Sequence, residues 1–482
     1  MDQNINYGYT IGYIVTVTLG FFNLGYCFAY FSDVMNIMHE EYVLSGMEVL
    51  QDKVYFNNIV SAMIPVGAII GGPIAGTMVL KGRRFTCLVN ACVMIAACLA
   101  TLYLNVVTLI LGRFIMGMCI GAYVLLIPLM VCELSPALIG SQLGTVGQIQ
   151  IMSGAFLAVM LGFTVPYSTA DDALTSVAWK IVFCMPAVIS AVQILLLLFV
   201  YNIETPNYYL ITGNIDMYEQ AMSRQFRNHQ YSPAGNSLLE EEPKTSDVQA
   251  PKSKEVTWAE IFTHPYNLAL GVSCMMAFFN QATGVAAVSY WIHSLFADGH
   301  EGTAAEMASR FGGFGLSIVG LVAAFTALGV SNHFGRKTII QTGQVAMVVI
   351  LALLTNSAFA ESKMISVVLS VLYLYVYNAT FGAFLWLYVS EICGAKGIAT
   401  AAFVNMSACL LFGVAEEYLF TSMGATQVFL SLCVIQAIAI VVVHRYMRET
   451  KGRSGPEREK LFLDGPKNTE KEDEKGAEME EL

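Results

Sequence analysis

Long apolar runs recur along this chain of 482 residues, and they restrict its fold more than any other feature. Many of them exceed the roughly 20 residues needed to cross the hydrocarbon core of a bilayer. Only 13% of the residues are charged, whereas soluble domains carry about 25%. Backbone polar groups inside a bilayer must bond within their own segment, so such runs form helices. The sequence therefore predicts an all-α, multi-pass integral membrane protein.

Run length and polar interruptions predict twelve transmembrane helices. The third and fourth are the hardest to separate, because Asn105 and Thr108 alone interrupt the apolar sequence there. The predicted spans are 9–33, 57–80, 85–104, 107–132, 142–165, 178–201, 266–297, 311–331, 338–358, 365–390, 397–420 and 426–446. The predicted domains are a six-helix bundle over 1–201, a linker over 202–265, a second six-helix bundle over 266–447 and an acidic tail over 448–482.

Lysine and arginine near the span ends predict the orientation. One set of loops is rich in these residues: Lys81, Arg83, Arg84, Arg336, Lys337, Lys396, Arg445, Arg448, Lys451 and Arg453. The other set holds Lys53, Lys180, Arg310 and Lys363. The richer set is expected to be cytoplasmic, which places both termini and the linker inside. Short amphipathic helices are expected in the linker at Ile215–Asn228 and Val256–Thr263.

Charge and motif content exclude several classes of function. Much of the net charge of −11 lies in the tail 470–482 and in Glu240–Glu242, which is typical of solvated, flexible segments. Nothing indicates a nucleic-acid partner, and no protein partner can be named. The seven histidines are scattered, and none forms a metal-ligand spacing with a cysteine or an acid. No serine or cysteine lies in a nucleophile motif. We therefore expect neither an enzyme nor a bound metal or cofactor.

The two sets of spans repeat each other. Gly82–Arg84 recurs as Gly335–Lys337, and Glu133 recurs as Glu391. The pair Glu204-Thr205 recurs as Glu449-Thr450 after the last span. Similar offsets between three pairs of motifs indicate a duplicated six-helix unit.

Motifs along nearly the whole chain resemble one family. They are GRF at Gly112–Phe114, PLMVCELSP at Pro128–Pro136, LGTVGQ at Leu143–Gln148, IETP at Ile203–Pro206, NQATG at Asn280–Gly284, NHFGRK at Asn332–Lys337, WLYVSE at Trp386–Glu391 and RETKGRS at Arg448–Ser454. In this order they are similar to the sugar porter branch of the major facilitator superfamily, of which the chain looks like a divergent member. The resemblance implies the major facilitator fold and alternating access, in which two bundles rock about a central site.

The resemblance also implies a cytoplasmic gate whose charges pair while that side is closed. Its acidic members here are Glu133, Glu204, Glu391 and Glu449. Its basic members are Arg83, Arg84, Arg336 and Lys337. Such pairs favour one conformer only if they break in the other. The alternative is that the basic residues serve topology alone.

A substrate site is implied by five further residues that match the family. They are Gln148 in span five, Asn280 and Gln281 in span seven, Trp386 in span ten and Asn405 in span eleven. Amides offer donors and acceptors to hydroxyls, and an indole packs on the C–H face of a sugar ring. The expected substrate is a hexose or polyol. Alternatively, the amides only bond helix to helix.

The chain departs from the family pattern in the pocket and in the gate. The family has an asparagine at Ala286, a tryptophan at Met406 and prolines at Ala383 and Leu385. Its gate has arginines at Ile139 and Ile398 and an acid at Val79. A pocket with fewer hydrogen bonds and a looser gate are therefore expected.

Energy coupling is predicted from span one. Proton-coupled sugar porters carry an aspartate where Cys27 stands, facing the arginine that is Arg113 here. A thiol with a pKa of about 8.5 carries protons poorly near neutral pH. The sequence therefore predicts a facilitative uniporter. Asp33 is an alternative partner for Arg113, and Glu416 and Glu417 are alternative proton carriers.

Three functions remain open. The first is facilitative transport of a sugar or polyol. The second is transport of another small organic solute, with or without protons. The third is a non-transporting sensor or scaffold, which the departures in pocket and gate support. Substrate-dependent flux in vesicles separates the third from the others.

Overall fold

A computed structural model describes residues 5–31, 34–35, 38–39, 52–103, 105–136, 139–166, 177–227, 256–356, 362–453, 457–458 and 461–462. Within these residues, twelve helical segments are long and apolar enough to cross a membrane. They are Tyr7–Ala29, Tyr55–Lys81, Arg83–Ala100, Val106–Leu134, Gly140–Gly162, Ala178–Phe199, Asn267–Ala297, Thr303–Val330, Arg336–Thr355, Lys363–Ile392, Ala395–Glu416 and Ala425–Tyr446. The predicted all-α membrane fold of two six-helix bundles is confirmed.

The third and fourth spans separate at the interruption seen in the sequence. Span three ends at Ala100, and span four begins at Val106. Between them the Asn105 side chain accepts a hydrogen bond from the Val107 N–H at 2.8 Å. This is an N-cap, which satisfies one of the N–H groups that a helix leaves open at its start. A polar residue that would be costly mid-span thus starts the next helix.

Spans seven and ten, each predicted as one span, consist of two helices. Span seven comprises Asn267–Ala282 and Val285–Ala297, and span ten comprises Lys363–Ala379 and Phe381–Ile392. Gly284 has a φ of 84°, a conformation that disfavours other residues. Near this break the Tyr373 hydroxyl donates to the Thr283 carbonyl at 2.6 Å, which satisfies an acceptor freed by the interruption.

Each half builds its own apolar core, and small residues let the halves approach closely. Two buried clusters cover mainly spans one to six and spans seven to twelve. In span two, a side chain at Gly72 would meet the backbone of Ala399 and the side chain of Ala402 in span eleven. Lipid supplies no hydrophobic driving force for helix association, so transmembrane helices depend on the van der Waals packing that close backbone approach allows.

We call the end of the bundle where span five begins and span eight ends the linker side, and the opposite end the far side. Two short helices lie on the linker side, Pro206–Thr212 and Ile215–Gln225. The first of them was not predicted. The helix predicted over Ile215–Asn228 therefore stops at Gln225, after which Phe226 pairs with Ile5. The helix predicted over Val256–Thr263 is a short turn of 3-10 helix at Glu260–Phe262.

Some predictions lie outside the described residues. These are the flexible part of the linker over 228–255, including Glu240–Glu242, and the acidic tail over 463–482.

Candidate functional site

Four side chains of spans seven, ten and eleven form a hydrogen-bonded cluster at the two helix breaks. Asn405 Nδ2 donates to the Ala277 carbonyl at 2.8 Å, and Gln281 Nε2 donates to Asn405 Oδ1 at 3.2 Å. Asn280 Oδ1 accepts from the Tyr377 hydroxyl at 3.2 Å and from Asn405 Nδ2 at 3.4 Å. Three of the predicted site residues are therefore in mutual contact, and Tyr377 joins them.

Gln148 approaches the same region from the first half of the chain. The side chain is 7% exposed, and its Nε2 donates to Asn378 Oδ1 at 3.0 Å. Asn378 follows Tyr377 directly and lies two residues before the break at Thr380. Neither Asn378 nor Tyr377 was predicted as a site residue. The sequence signal that could have identified them is the polar pair Tyr377-Asn378 inside an apolar run. The helix break at Thr380 that follows the pair was not evident from the sequence.

Asn280 leaves one strong donor unused. The residue is 4% exposed, and its Nδ2 has no hydrogen-bond partner among the described residues. A buried donor without a partner costs about 1–3 kcal/mol, so its retention calls for an explanation. Discontinuous transmembrane helices commonly form substrate sites, since their ends free backbone groups and polar side chains. The unused amide lies beside such a break.

Trp386 lies on the linker side of these amides. It lines a cavity of about 440 Å³ between the halves, together with Phe21 and Gly147. Gly147 is the neighbour of Gln148, so the cavity reaches the level of span five at which Gln148 is placed. Met406, at the family's tryptophan position, is 5% exposed and packs in the apolar core of the first half.

Arg113 is fully enclosed in span four. Its Nε donates to the Val60 carbonyl at 2.9 Å, and its Nη1 donates to the Tyr30 hydroxyl at 3.1 Å. The guanidinium also lies 4.3 Å from the centre of the Phe31 ring. Cys27, one turn before Tyr30 on the same helix, is 0% exposed. The described contacts of Arg113 are thus a carbonyl, a hydroxyl and aromatic faces.

Of the three alternative acids, Glu416 is the one whose side chain the structure describes. Asp33 lies outside the described residues. Glu416 is half-buried near the far-side end of the helix Ala395–Met423. Glu417 belongs to the same helix, but its side chain lies outside the described residues.

On the linker side, the first half contains a compact charge network around Glu133. Arg83 Nη2 lies 3.2 Å from Glu133 Oε1, and both side chains are at most 5% exposed. The Thr205 hydroxyl donates to Oε2 at 2.5 Å, and Asn207 Nδ2 donates to Oε1 at 2.9 Å. Hydrogen bonds to both oxygens are what a buried ion pair needs to offset the loss of hydration.

The second half contains an equivalent network around Glu391. Arg336 Nη2 lies 2.8 Å from Glu391 Oε1, and the Thr450 hydroxyl donates to Oε2 at 2.6 Å. Arg458 adds a second guanidinium, at 3.9 Å from Oε1. The residues that repeat in the sequence therefore form equivalent hydrogen bonds in the two halves.

Glu204 and Glu449 have a different role from Glu133 and Glu391. Glu204 accepts from the backbone N–H groups of Arg84 at 2.8 Å and Phe85 at 2.9 Å. Glu449 accepts from those of Arg336 at 2.9 Å and Lys337 at 3.0 Å. Each carboxylate caps the N-terminus of a span, where the helix dipole favours negative charge.

These capping carboxylates explain the glycines of the two loops. A Cβ at Gly82 would collide with the Glu204 carboxylate, and a Cβ at Gly335 would collide with that of Glu449. Burial raises the pKa of Glu204, although the bonds from two backbone N–H groups oppose the rise.

Among the described residues, the ion pairs lie inside each half and do not join the halves. A contact that crosses between them is the 2.9 Å hydrogen bond from Arg336 Nη2 to the Ser141 hydroxyl at the start of span five. Ile398, at a family arginine position, is 0% exposed and packs in the second core, while Ile139 packs against the first. These two positions supply apolar contact in place of charge.

A further contact between the halves lies on the far side. Arg310 of span eight is 5% exposed, and its Nη1 donates to the carbonyls of Val165 at 2.6 Å and Gly162 at 3.0 Å, where span five ends. Phe163 packs on Phe311 with ring centres 5.1 Å apart. The sequence indicated only that Arg310 belongs to the loops that are poorer in lysine and arginine. The halves are therefore joined on both sides of the amides.

Buried amides therefore lie between contacts that join the two halves on the linker side and on the far side. The chain belongs to the family described as "Sugar (and other) transporter", whose sequence model matches residues 12–462. The resemblance noted in the sequence is thereby confirmed. Membership also confirms the prediction that the chain is not an enzyme. No group of three or more potential metal-ligating side chains is placed to hold an ion among the described residues.

Relatives and solved structures agree with this assignment. The probable metabolite transport protein CsbC of Bacillus subtilis is 26% identical over 82% of this chain and 84% of its own length. The glucose transporter GlcP of Staphylococcus epidermidis is 26% identical over 82% of this chain and 86% of its own. The structure of the proton:xylose symporter XylE bound to 6-bromo-6-deoxy-D-glucose superimposes with a TM-score of 0.78 at 18% identity, covering 95% of this chain and all of that one.

Proposed function

We propose that this protein carries a hexose or polyol across a membrane by facilitative alternating access. Its substrate site is formed by Gln148, Asn280, Gln281 and Asn405, with Trp386 on the linker side. The observation that carries the proposal is the buried Asn280 Nδ2, which has no partner among the described residues and lies beside the helix break in span seven. A substrate hydroxyl supplies the missing acceptor. The named relatives include a glucose transporter.

The contacts on the two sides of the site suggest how access alternates. The Arg336–Ser141 bond closes the linker side, and the Arg310 bonds close the far side. Opening either side breaks one set while the other holds. The intact networks around Glu133 and Glu391 keep each half rigid during this movement. The lysines and arginines around them support a cytoplasmic position for the linker side and both termini.

Uniport is the mode of transport that we infer from span one. Cys27 is enclosed at the position of the family's aspartate, and the described hydrogen bonds of Arg113 go to Val60 and Tyr30. Among the residues that the structure describes around Arg113, a neutral thiol and bonded guanidinium nitrogens supply no proton carrier. XylE, a proton symporter, shares the fold, so coupling is decided by such local residues.

Counterflow into proteoliposomes tests the proposal. Vesicles loaded with unlabelled glucose, xylitol or a small organic anion receive a trace of the same labelled solute. Glucose or xylitol should accumulate transiently, whereas the anion should not. Accumulation of the anion alone would assign the protein to the second class of solute, and no accumulation of any solute would favour a sensor or scaffold.

A further inference from the structure

One wall of the cavity of about 440 Å³ between the halves carries more positive charge than the Glu391 network balances. Its lining contains three arginines, Arg336, Arg453 and Arg458, against one carboxylate, Glu391. Glu391 already accepts from Arg336 and from Thr450. Among the described lining residues, the positive charge therefore exceeds the negative charge by two.

Several donors in this wall are buried without partners. Arg336 is 2% exposed, and its Nε and Nη1 bond to nothing among the described residues. The same holds for Arg458 Nε and for the Ser135 hydroxyl. Guanidinium groups present N–H donors in a rigid fork that matches a phosphate bidentately. Unused guanidinium donors that line a positively charged cavity are the features of an anion site.

The rest of the lining selects for more than a bare anion. Ser141 and Ser390 add hydroxyls, and Trp386 and Phe21 add aromatic faces on the side toward Gln148. Hydroxyls and an indole suit a polyhydroxylated body, while the arginines suit a phosphate. The volume exceeds what an inorganic phosphate fills.

We propose that this cavity binds a phosphorylated sugar or polyol, with its phosphate on Arg336, Arg453 and Arg458. The ligand contacts both halves, since Ser135 and Ser141 belong to the first half and the three arginines to the second. It therefore holds the linker side closed. A transporter whose sugar is phosphorylated after entry would then be slowed by the phosphorylated product. This consequence rests on the proposed function, whereas the binding itself does not.

Isothermal titration of the purified full chain in lipid nanodiscs tests the binding. Glucose 6-phosphate should bind saturably, and Arg453→Gln/Arg458→Gln should weaken its binding at least tenfold. Arg453→Lys/Arg458→Lys keeps the charge without the fork and should also bind more weakly, while eluting as a single species in gel filtration. Arg445→Gln is the matched control, because Arg445 is exposed near the end of span twelve and does not line the cavity.

Four results would overturn the proposal. They are the absence of saturable binding, equal affinity in wild type and in the double glutamine variant, equal affinity for inorganic phosphate and glucose 6-phosphate, and binding that appears only after residues 463–482 are removed. The last result would assign the cavity to the chain's own acidic tail. Because the readout is binding, a protein that transports nothing can still pass this test.

Discussion

Gln148 Nε2 donates to Asn378 Oδ1 at 3.0 Å, and this single hydrogen bond links span five of one half to span ten of the other beside the amide cluster. An intramolecular hydrogen bond contributes only about 0.5–1.5 kcal/mol net. A substrate hydroxyl can replace either partner at little cost. The pair therefore suits a site that must close around a solute and then release it.

Replacing Gln148 by alanine should weaken substrate binding. The loss of a polar partner in a buried site costs about 1–3 kcal/mol, which corresponds to about a 5- to 150-fold rise in the transport constant. The counterflow assay measures it. Gln150→Ala is the matched control, since Gln150 lies two residues along the same helix and faces another direction. An unchanged constant in Gln148→Ala would show that Gln148 only bonds helix to helix.

The sequence predicted the amides of this cluster but not their surroundings. Gln148, Asn280 and Gln281 lie in recognisable motifs, and Asn405 matches a polar position of the family in span eleven. The duplicated motifs indicated that both halves share one design. Asn378 was not predicted, because its relevance depends on the break at Thr380 and on contact with a residue 230 positions earlier. Local patterns carry span length and repeats, whereas contacts between distant spans depend on packing.

The charge networks show the same limit. The sequence indicated which residues are acidic and basic at equivalent loops, and it suggested that they gate one side. It did not indicate that Arg83–Glu133 and Arg336–Glu391 lie within separate halves, nor that Glu204 and Glu449 cap helix ends. Those outcomes depend on how each loop folds back on its own bundle.

Sugar flux should be independent of protons. Cys27 is buried and has a thiol where proton-coupled members of the family have a carboxylate. The wild-type protein should therefore move glucose without alkalinising its donor compartment. A pH-sensitive dye trapped in proteoliposomes reports this directly. Cys27→Ser, which is nearly isosteric and equally neutral, should leave the flux unchanged. Proton movement that accompanies glucose would contradict uniport and direct attention to Glu416.

Removing the charge of Glu133 or Glu391 should destabilise the fold more than it alters the balance between open and closed states. Each glutamate pairs with an arginine of its own half, and each residue is at most 5% exposed at the side chain. Glu133→Gln and Glu391→Gln each leave a buried guanidinium without the carboxylate charge that neutralises it, at a cost of about 3 kcal/mol. Thermal unfolding in detergent measures the loss.

Ser141→Ala is the contrasting variant for these two substitutions. It removes the bond from Arg336 that crosses between the halves but leaves both ion pairs intact. We expect little loss of stability and easier opening of the linker side. Equal destabilisation by Ser141→Ala and Glu391→Gln would contradict the separate roles.

Arg310 should control opening of the far side. Its guanidinium donates to the carbonyls at the end of span five, where the helix dipole places partial negative charge. Bonds to a charged group contribute about 1.5–3 kcal/mol, so Arg310→Gln should shift the open-to-closed ratio at least about tenfold. Spin labels at the exposed Thr164 and Ala304 should then report a longer distance across that side.

Lys180→Gln, which also removes a cation from the far-side loops, should leave the distance distribution unchanged. The same distribution in Arg310→Gln as in the wild type would mean that Arg310 only anchors the loop and that the aromatic pair Phe163–Phe311 holds this side closed.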